Sequence, residues 1–238
     1  MSEAPSWRPD AYRSGLAAGR PMVRPPWTAR FRSIVFEGPI GVGKSSLAMK
    51  FATRFGYTPL LEAPDENPFL SRFYRDSARY ALPTQLFFLF QRMDQLREVS
   101  QRDLFEEHLV SDFMIEKDPL FAALTLSEEE LGLYQKIYES LRPQAPIPDL
   151  VVVLQASAEQ LSDRIRQRGI DMEQGMSEDY LSRLSEAYTQ YFHRYDEAPL
   201  LIVNTAALNP IDKEEDFDAL VAQISSLKGR RNYFNLMP

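Results

Sequence analysis

Eight consecutive residues, Gly38-Pro39-Ile40-Gly41-Val42-Gly43-Lys44-Ser45, have types and spacing suited to holding a phosphate. Two glycines bracket four residues and are followed by Lys and Ser. Without a Cβ the backbone curls tightly, so successive N–H groups face one concavity. Gly38, Ile40, Gly41, Val42, Gly43, Lys44, Ser45 and Ser46 are therefore the candidate triphosphate ligands. Lys44 brings a compact positive charge to the β- and γ-phosphates, and the Ser45 hydroxyl suits the shell of a Mg²⁺ ion. Two carboxylates elsewhere invite attention. Glu62 and Asp112 each close a short apolar run, and ligands of open α/β folds gather at the carboxyl ends of strands. Gln85 and Arg92 are two helical turns apart and share a face. Arg164 and Arg168, four apart on another helical stretch, have the fork geometry that binds phosphate oxygens.

The surrounding elements must place these groups. Ser33-Ile34-Val35-Phe36 reads as a buried strand feeding the glycine loop, and Ser46 to Phe55 as a helix whose N-terminus faces the anion. A second strand runs from Tyr57 to Glu62, stopped by Pro64. The aromatic stretch from Asn67 to Tyr80 reads as helical, and another helix begins after Pro83 with Leu86, Leu89, Phe90, Met93 and Leu96 at helical spacing. His108 to Asp112 is the third strand. Helices follow around Pro119–Thr125 and Ser127–Leu141, the latter opened by a Ser127/Glu130 capping box. Leu150-Val151-Val152-Val153-Leu154 is apolar without alternation, as a strand covered on both faces must be. Helix Ala158–Arg168 ends at Gly169. Helix Ser177–Tyr195, strand Leu200–Asn204 and helix Asp212–Leu227 complete the pattern, leaving 229–238 as a tail. Alternating strands and helices predict an α/β, three-layer fold with a five-stranded parallel sheet.

Composition narrows the function classes. A net charge of −7 over 238 residues argues against a general nucleic-acid surface. The absence of cysteine removes disulfides, thiolate metal sites and a Cys nucleophile, and fits a reducing, cytoplasmic setting. No apolar run approaches the ~20 residues of a membrane span. Residues 1–31, with Pro5, Pro9, Pro21, Pro25 and Pro26 and an excess of arginine, read as a flexible arm. An organelle-targeting peptide would also be Arg-rich, but Glu3, Asp10 and the prolines oppose an amphipathic helix. Residues 32–228 form the folded domain.

The assembled signals resemble the deoxynucleoside kinases, from about Arg32 to Leu227. Besides the loop Gly38–Ser45, Leu61-Glu62-Ala63-Pro64 stands where the family has its strand-end Glu-Pro, implying that Glu62 is the general base. By the same resemblance Tyr74 and Glu173 hold the sugar hydroxyl, and Gln85 and Arg92 read the base. The segment Arg-Ile-Arg-Gln-Arg-Gly-Ile-Asp-Met-Glu-Gln-Gly at 164–175 resembles the arginine-bearing lid, about 164–176. Arg164 and Arg168 then stabilise the transferred group, and Ser45 and Asp112 hold Mg²⁺. The bacterial deoxyadenosine and deoxyguanosine kinases are the nearest in kind, and a homodimer is implied. Two departures stand out. The family's arginine after the third strand's acid is Phe113 here, with Lys117 as a stand-in, and a third lid arginine is Ile170.

The implied reaction is in-line transfer of the γ-phosphoryl group of ATP to a deoxynucleoside 5′-hydroxyl, with small molecules as the partners. A nucleoside monophosphate kinase of the thymidylate type shares the fold but needs an extra cation in the acceptor pocket, for which Arg72, Arg75 and Arg79 are available. A non-catalytic P-loop module is the third reading.

Overall fold

The computed structural model describes residues 24–101, 108–142, 145–170 and 176–235. Most of the N-terminal stretch (1–23), Glu173 with the centre of the lid, and residues 236–238 lie outside them. Strands β1 (Ser33–Glu37), β2 (Thr58–Leu60), β3 (Leu109–Ser111), β4 (Leu150–Gln155), β5 (Leu200–Asn204) and β6 (Arg231–Phe234) form one sheet in the order β2-β3-β1-β4-β5-β6. Every pairing is parallel. The helices are α1 (Lys44–Phe55), α2 (Leu70–Phe73), α3 (Ser77–Gln101), α4 (Asp118–Thr125), α5 (Glu128–Leu141), α6 (Ala158–Arg168), α7 (Glu178–Arg194) and α8 (Glu214–Ser226).

The strands alternate their side chains between two apolar layers, which is why they read as unbroken apolar runs. Ile34, Phe36, Val152, Leu154, Leu201 and Val203 pack with Leu47 and Phe51 of α1, Leu161 of α6 and Phe217, Leu220 and Ile224 of α8. Val35, Val151, Val153, Leu200 and Ile202 face Leu184, Tyr188 and Phe192 of α7. A third cluster packs Leu89 and Met93 of α3 against Ala122 of α4 and Tyr134 and Tyr138 of α5.

Three expectations are corrected. The sheet has six strands, not five. The sixth is an edge strand, Arg-Asn-Tyr-Phe, whose Tyr233 is exposed, so it lacks the apolar run that marks its neighbours. Arg231 secures it by donating to the carbonyls of Phe192 and Tyr195 at 2.7 and 2.6 Å. Residues 24–31 dock on the domain instead of belonging to an arm. Trp27 packs edge-on against Phe55 at 5.2 Å, Arg24 donates to the carbonyls of Phe55 and Gly56, and Phe31 is buried. Prolines and arginines in this stretch masked two aromatic anchors. Finally, α3 does not wait for Pro83 but begins at Ser77 and passes through it. Ala81 packs beside Leu70 and Phe73 there, and this burial holds the proline inside the helix against its missing N–H.

Candidate active site

The glycine loop closes between β1 and α1 as expected. A Cβ on Gly38, at φ +146°, would sit 2.4 Å from the Leu154 carbonyl oxygen of β4, so the loop can leave the sheet here only without a side chain. Gly43, at φ +99°, caps α1 in the left-handed region. Helix α6 supports the loop from the side: a Cβ on Gly41 would meet Ile165 at 2.8 Å. Lys44 donates to the Pro39 carbonyl at 3.2 Å. Burial and the nearby Lys117 lower the pKa of its ammonium, a penalty on the charge that a bound anion would offset.

The expected magnesium pair is brought together. The Ser45 hydroxyl donates to Asp112 Oδ2, and Asp112 Oδ1 accepts the Glu62 amide at 2.9 Å. Burial and the adjacent Glu62 push the Asp112 carboxyl up to about 6. Hard oxygen donors in this number fit Mg²⁺, which keeps waters and takes phosphate oxygens for the rest of its shell. Among the described residues there is no group of three or more His, Cys, Asp or Glu that could hold a metal ion.

Glu62 lies two residues beyond Leu60, the last residue of β2, and is mostly buried. Arg92 grips its Oε1 through Nε, at 2.6 Å, and through Nη2, and the Lys117 ammonium reaches the same oxygen at 2.8 Å. No hydrogen bond or ion pair among the described residues falls on Oε2. Burial alone would raise this carboxyl, but Arg92, Lys117 and Lys44 outweigh it and hold it at about 2. Arg92 spends its Nη1 on Asp118, and its guanidinium lies 5.1 Å from the Phe88 ring centre. Lys117 also lies 3.5 Å from Glu37 Oε1.

On the acceptor side, Gln85 and Arg92 share one face of α3, as their spacing requires. Gln85 is buried, with its amide 3.4 Å from the Thr125 hydroxyl of α4. Tyr74 lies at the end of α2 among Phe73, Tyr80 and Phe88. Arg164, the candidate for the donor side, donates to the Thr205 hydroxyl and carbonyl at 3.1 and 3.0 Å. Arg168, at the exposed last turn of α6, completes the pair.

Two residues escaped the sequence. Glu37 is a third strand-end carboxylate, fully buried, and was hidden because β1 was ended one residue early. Asp118 is fully buried against Arg92, with its Oδ2 unpartnered and its carboxyl pushed up to about 7, chiefly by burial. An acid in a dipeptide with Pro119 reads as a helix start, and nothing local marks it as a partner of Arg92.

A glycine loop, a serine of the following helix bonded to an aspartate just past β3, and a buried, cation-held glutamate at the carboxyl edge of a parallel sheet define a P-loop nucleotide kinase. The comparisons narrow this. The deoxynucleoside kinase family profile matches residues 34–228. The deoxyguanosine kinase of Bacillus subtilis is 33% identical over 199 residues, which cover 82% of this chain and 96% of that protein. The deoxyadenosine/deoxycytidine kinase of the same organism is 30% identical over 204 residues, covering 82% and 92%. In fold, the chain is similar to a deoxyadenosine kinase from M. mycoides with bound dATP, at TM-score 0.72 and 22% identity, covering 82% of this chain and 99% of that one. The chain belongs to the deoxynucleoside kinase family. It is a phosphotransferase with an alcohol acceptor, the 5′-hydroxyl of a deoxynucleoside, and ATP as donor. No helix among the described residues is long and apolar enough to cross a membrane.

Proposed function

We propose that the acceptor is a purine deoxynucleoside, that Glu62 takes its 5′-hydroxyl proton, and that Gln85 and Arg92, with Asp118, read its base. The observation that carries the proposal is the convergence of Glu62, Ser45 and Asp112 within one hydrogen-bonded group beside the phosphate loop. A carboxylate held at about 2 is a weak base at rest. It becomes an adequate one once the 5′-oxygen bonds to phosphorus and its proton turns acidic. Its Oε2 is the oxygen left for that proton.

Lys44 and the loop amides offset charge on the γ-phosphoryl group, and Arg164 and Arg168 add to them once Arg164 leaves Thr205. Ser45 and Asp112 would hold Mg²⁺, which supplies charge neutralisation across the β- and γ-phosphates. Tyr74, and Glu173 outside the described residues, are assigned to the sugar hydroxyl. The purine preference is supported by the similarity to a deoxyguanosine kinase. A phosphorylated acceptor is disfavoured, because Glu37, Glu62, Asp112 and Asp118 line this side and Arg92 and Lys117 are already paired. A cytoplasmic homodimer belongs to the same proposal. Phe90 of α3 and Leu133 of α5 remain about half exposed, as a subunit contact would require, and light scattering on the purified protein tests it.

ADP release with ATP and each of the four deoxynucleosides tests the acceptor: deoxyguanosine or deoxyadenosine should lead, and phosphorylation of monophosphates alone overturns the reading. Glu62→Gln should cut single-turnover transfer by roughly 10²–10⁴-fold, the usual contribution of a positioned base, with modest change in nucleoside binding.

A further inference from the structure

Lys117 is the most deeply buried cation of the site that the proposed mechanism leaves without a task. Its side chain is 2% exposed, a placement lysine tolerates only when paired. Burial works against its charge, but Glu37 and Glu62 outweigh that and raise its pKa. The residue sits in the single turn Ile115–Lys117, just before α4.

Its two partners belong to different halves of the reaction. Glu37 ends β1, and its Oε2 accepts the Gly38 amide at 2.8 Å, the first amide of the phosphate loop, and the Tyr188 hydroxyl at 3.1 Å. Its Oε1 accepts the Met114 amide at 3.3 Å and faces Lys117. Glu62 is the proposed proton acceptor. Gly38, Glu37, Lys117 and Glu62 thus form an unbroken polar chain from donor loop to base. Arg92 also holds Glu62, but from the helix that faces the nucleobase, and it divides its guanidinium with Asp118. The anchor of Lys117 is the sheet itself. Phe113, at the position where the family pattern has arginine, is buried, with its amide and carbonyl both bonded to the Ser111 hydroxyl. It offers no cation.

We propose that Lys117 is a positioning residue for phosphoryl transfer. By holding Oε1 of Glu62 against Glu37, it presents Oε2 to the 5′-hydroxyl and fixes the base relative to the phosphate loop. This rests on the reading of Glu62 as base. In the step, the 5′-O–H bond breaks and its proton passes to Oε2. The O–Pγ bond forms, and the bond from Pγ to the bridging oxygen breaks, with its electron pair leaving on ADP.

The test is a double-mutant cycle read by single-turnover transfer at saturating ATP and deoxyguanosine, with KM values alongside. Lys117→Met should lower the rate by roughly 10²-fold while both KM values stay within about threefold. Lys117→Arg should recover the rate to within about tenfold of wild type. Added to Glu62→Gln, Lys117→Met should cost less than about threefold more, because its effect runs through Glu62. A folded Lys117→Met protein at the wild-type rate, or a full additional loss on Glu62→Gln, overturns the proposal. If Glu62→Gln alone transfers at the wild-type rate, the base reading fails first and this one with it. Should Lys117→Met not fold, Glu37→Gln/Lys117→Met is compared with Glu37→Gln/Lys117→Arg. A gap of about tenfold or more supports the bridge, and equal rates overturn it.

Discussion

The carboxyl edge of the sheet differs on the two sides of β1. From β1 outward through β3 to β2 the strand ends carry Glu37, Asp112 and Glu62, all tied into one network with Lys117, Arg92 and Ser45. The ends of β4 and β5 are Gln155 and Asn204, neutral groups, and Arg164 of α6 is bonded to Thr205, just past β5. The charged half has the means for proton transfer and metal binding. The neutral half has packing: Ile165 of α6 lies against the glycine loop, and the Leu154 carbonyl sits where a Gly38 side chain would stand. The loop lies at the border, so one half supplies chemistry and the other supplies shape.

That division can be broken experimentally. Lys44→Ala, at the border, should lower turnover by roughly 10²–10³-fold, the scale of one lost charge-stabilising donor. Because burial and Lys117 already disfavour its charge, the melting temperature of the nucleotide-free protein should not fall. A large thermal loss with normal turnover would place Lys44 in the scaffold. Ile165→Ala, in the neutral half, should do the reverse. It should cost about 2–5 kcal/mol of stability in urea unfolding, raise KM for ATP, and leave saturated turnover within about tenfold. A turnover loss matching that of Lys44→Ala would mean shape and chemistry are not separable.

The smallest effect concerns pH. The Asp118 carboxyl is raised to about 7, mainly by burial, from an ordinary value near 3.8. Its contribution to stability is therefore complete below pH ~4 and is lost as pH rises through 7. Relative to Asp118→Asn, the wild type should lose stability in urea between pH 4.5 and 8. An opposite slope would show that Arg92 keeps Asp118 ionised in the fold.

What the sequence made legible follows the same line. Candidate groups concentrated in a short segment, as in Gly38–Ser45, or following a strand, as in Glu62 and Asp112, could be picked out directly, and the fold places them together. So could α6, with its Gly169 stop. Partnerships between distant segments could not. Lys117 was visible as a stand-in cation but not as a bridge, and Asp118 looked like a helix start. Nothing near Trp27 announces that Phe51 and Phe55 wait for it. The sixth strand failed for a related reason, since an edge strand with one neighbour needs little apolar sequence.

Pro83, carried inside α3, divides that helix into unequal pieces. A proline offers no N–H, so the Arg79 carbonyl has no donor four residues on, and the opening turns are joined to the rest by one bond fewer. Tyr80 lies before the break and Gln85 and Arg92 after it. The aromatic opening of α3 is thus joined less firmly to the stretch that carries Gln85 and Arg92. Amide hydrogens of the opening turns should exchange with solvent faster than those around Leu89 and Met93, and a bound nucleoside that touches both ends should slow them.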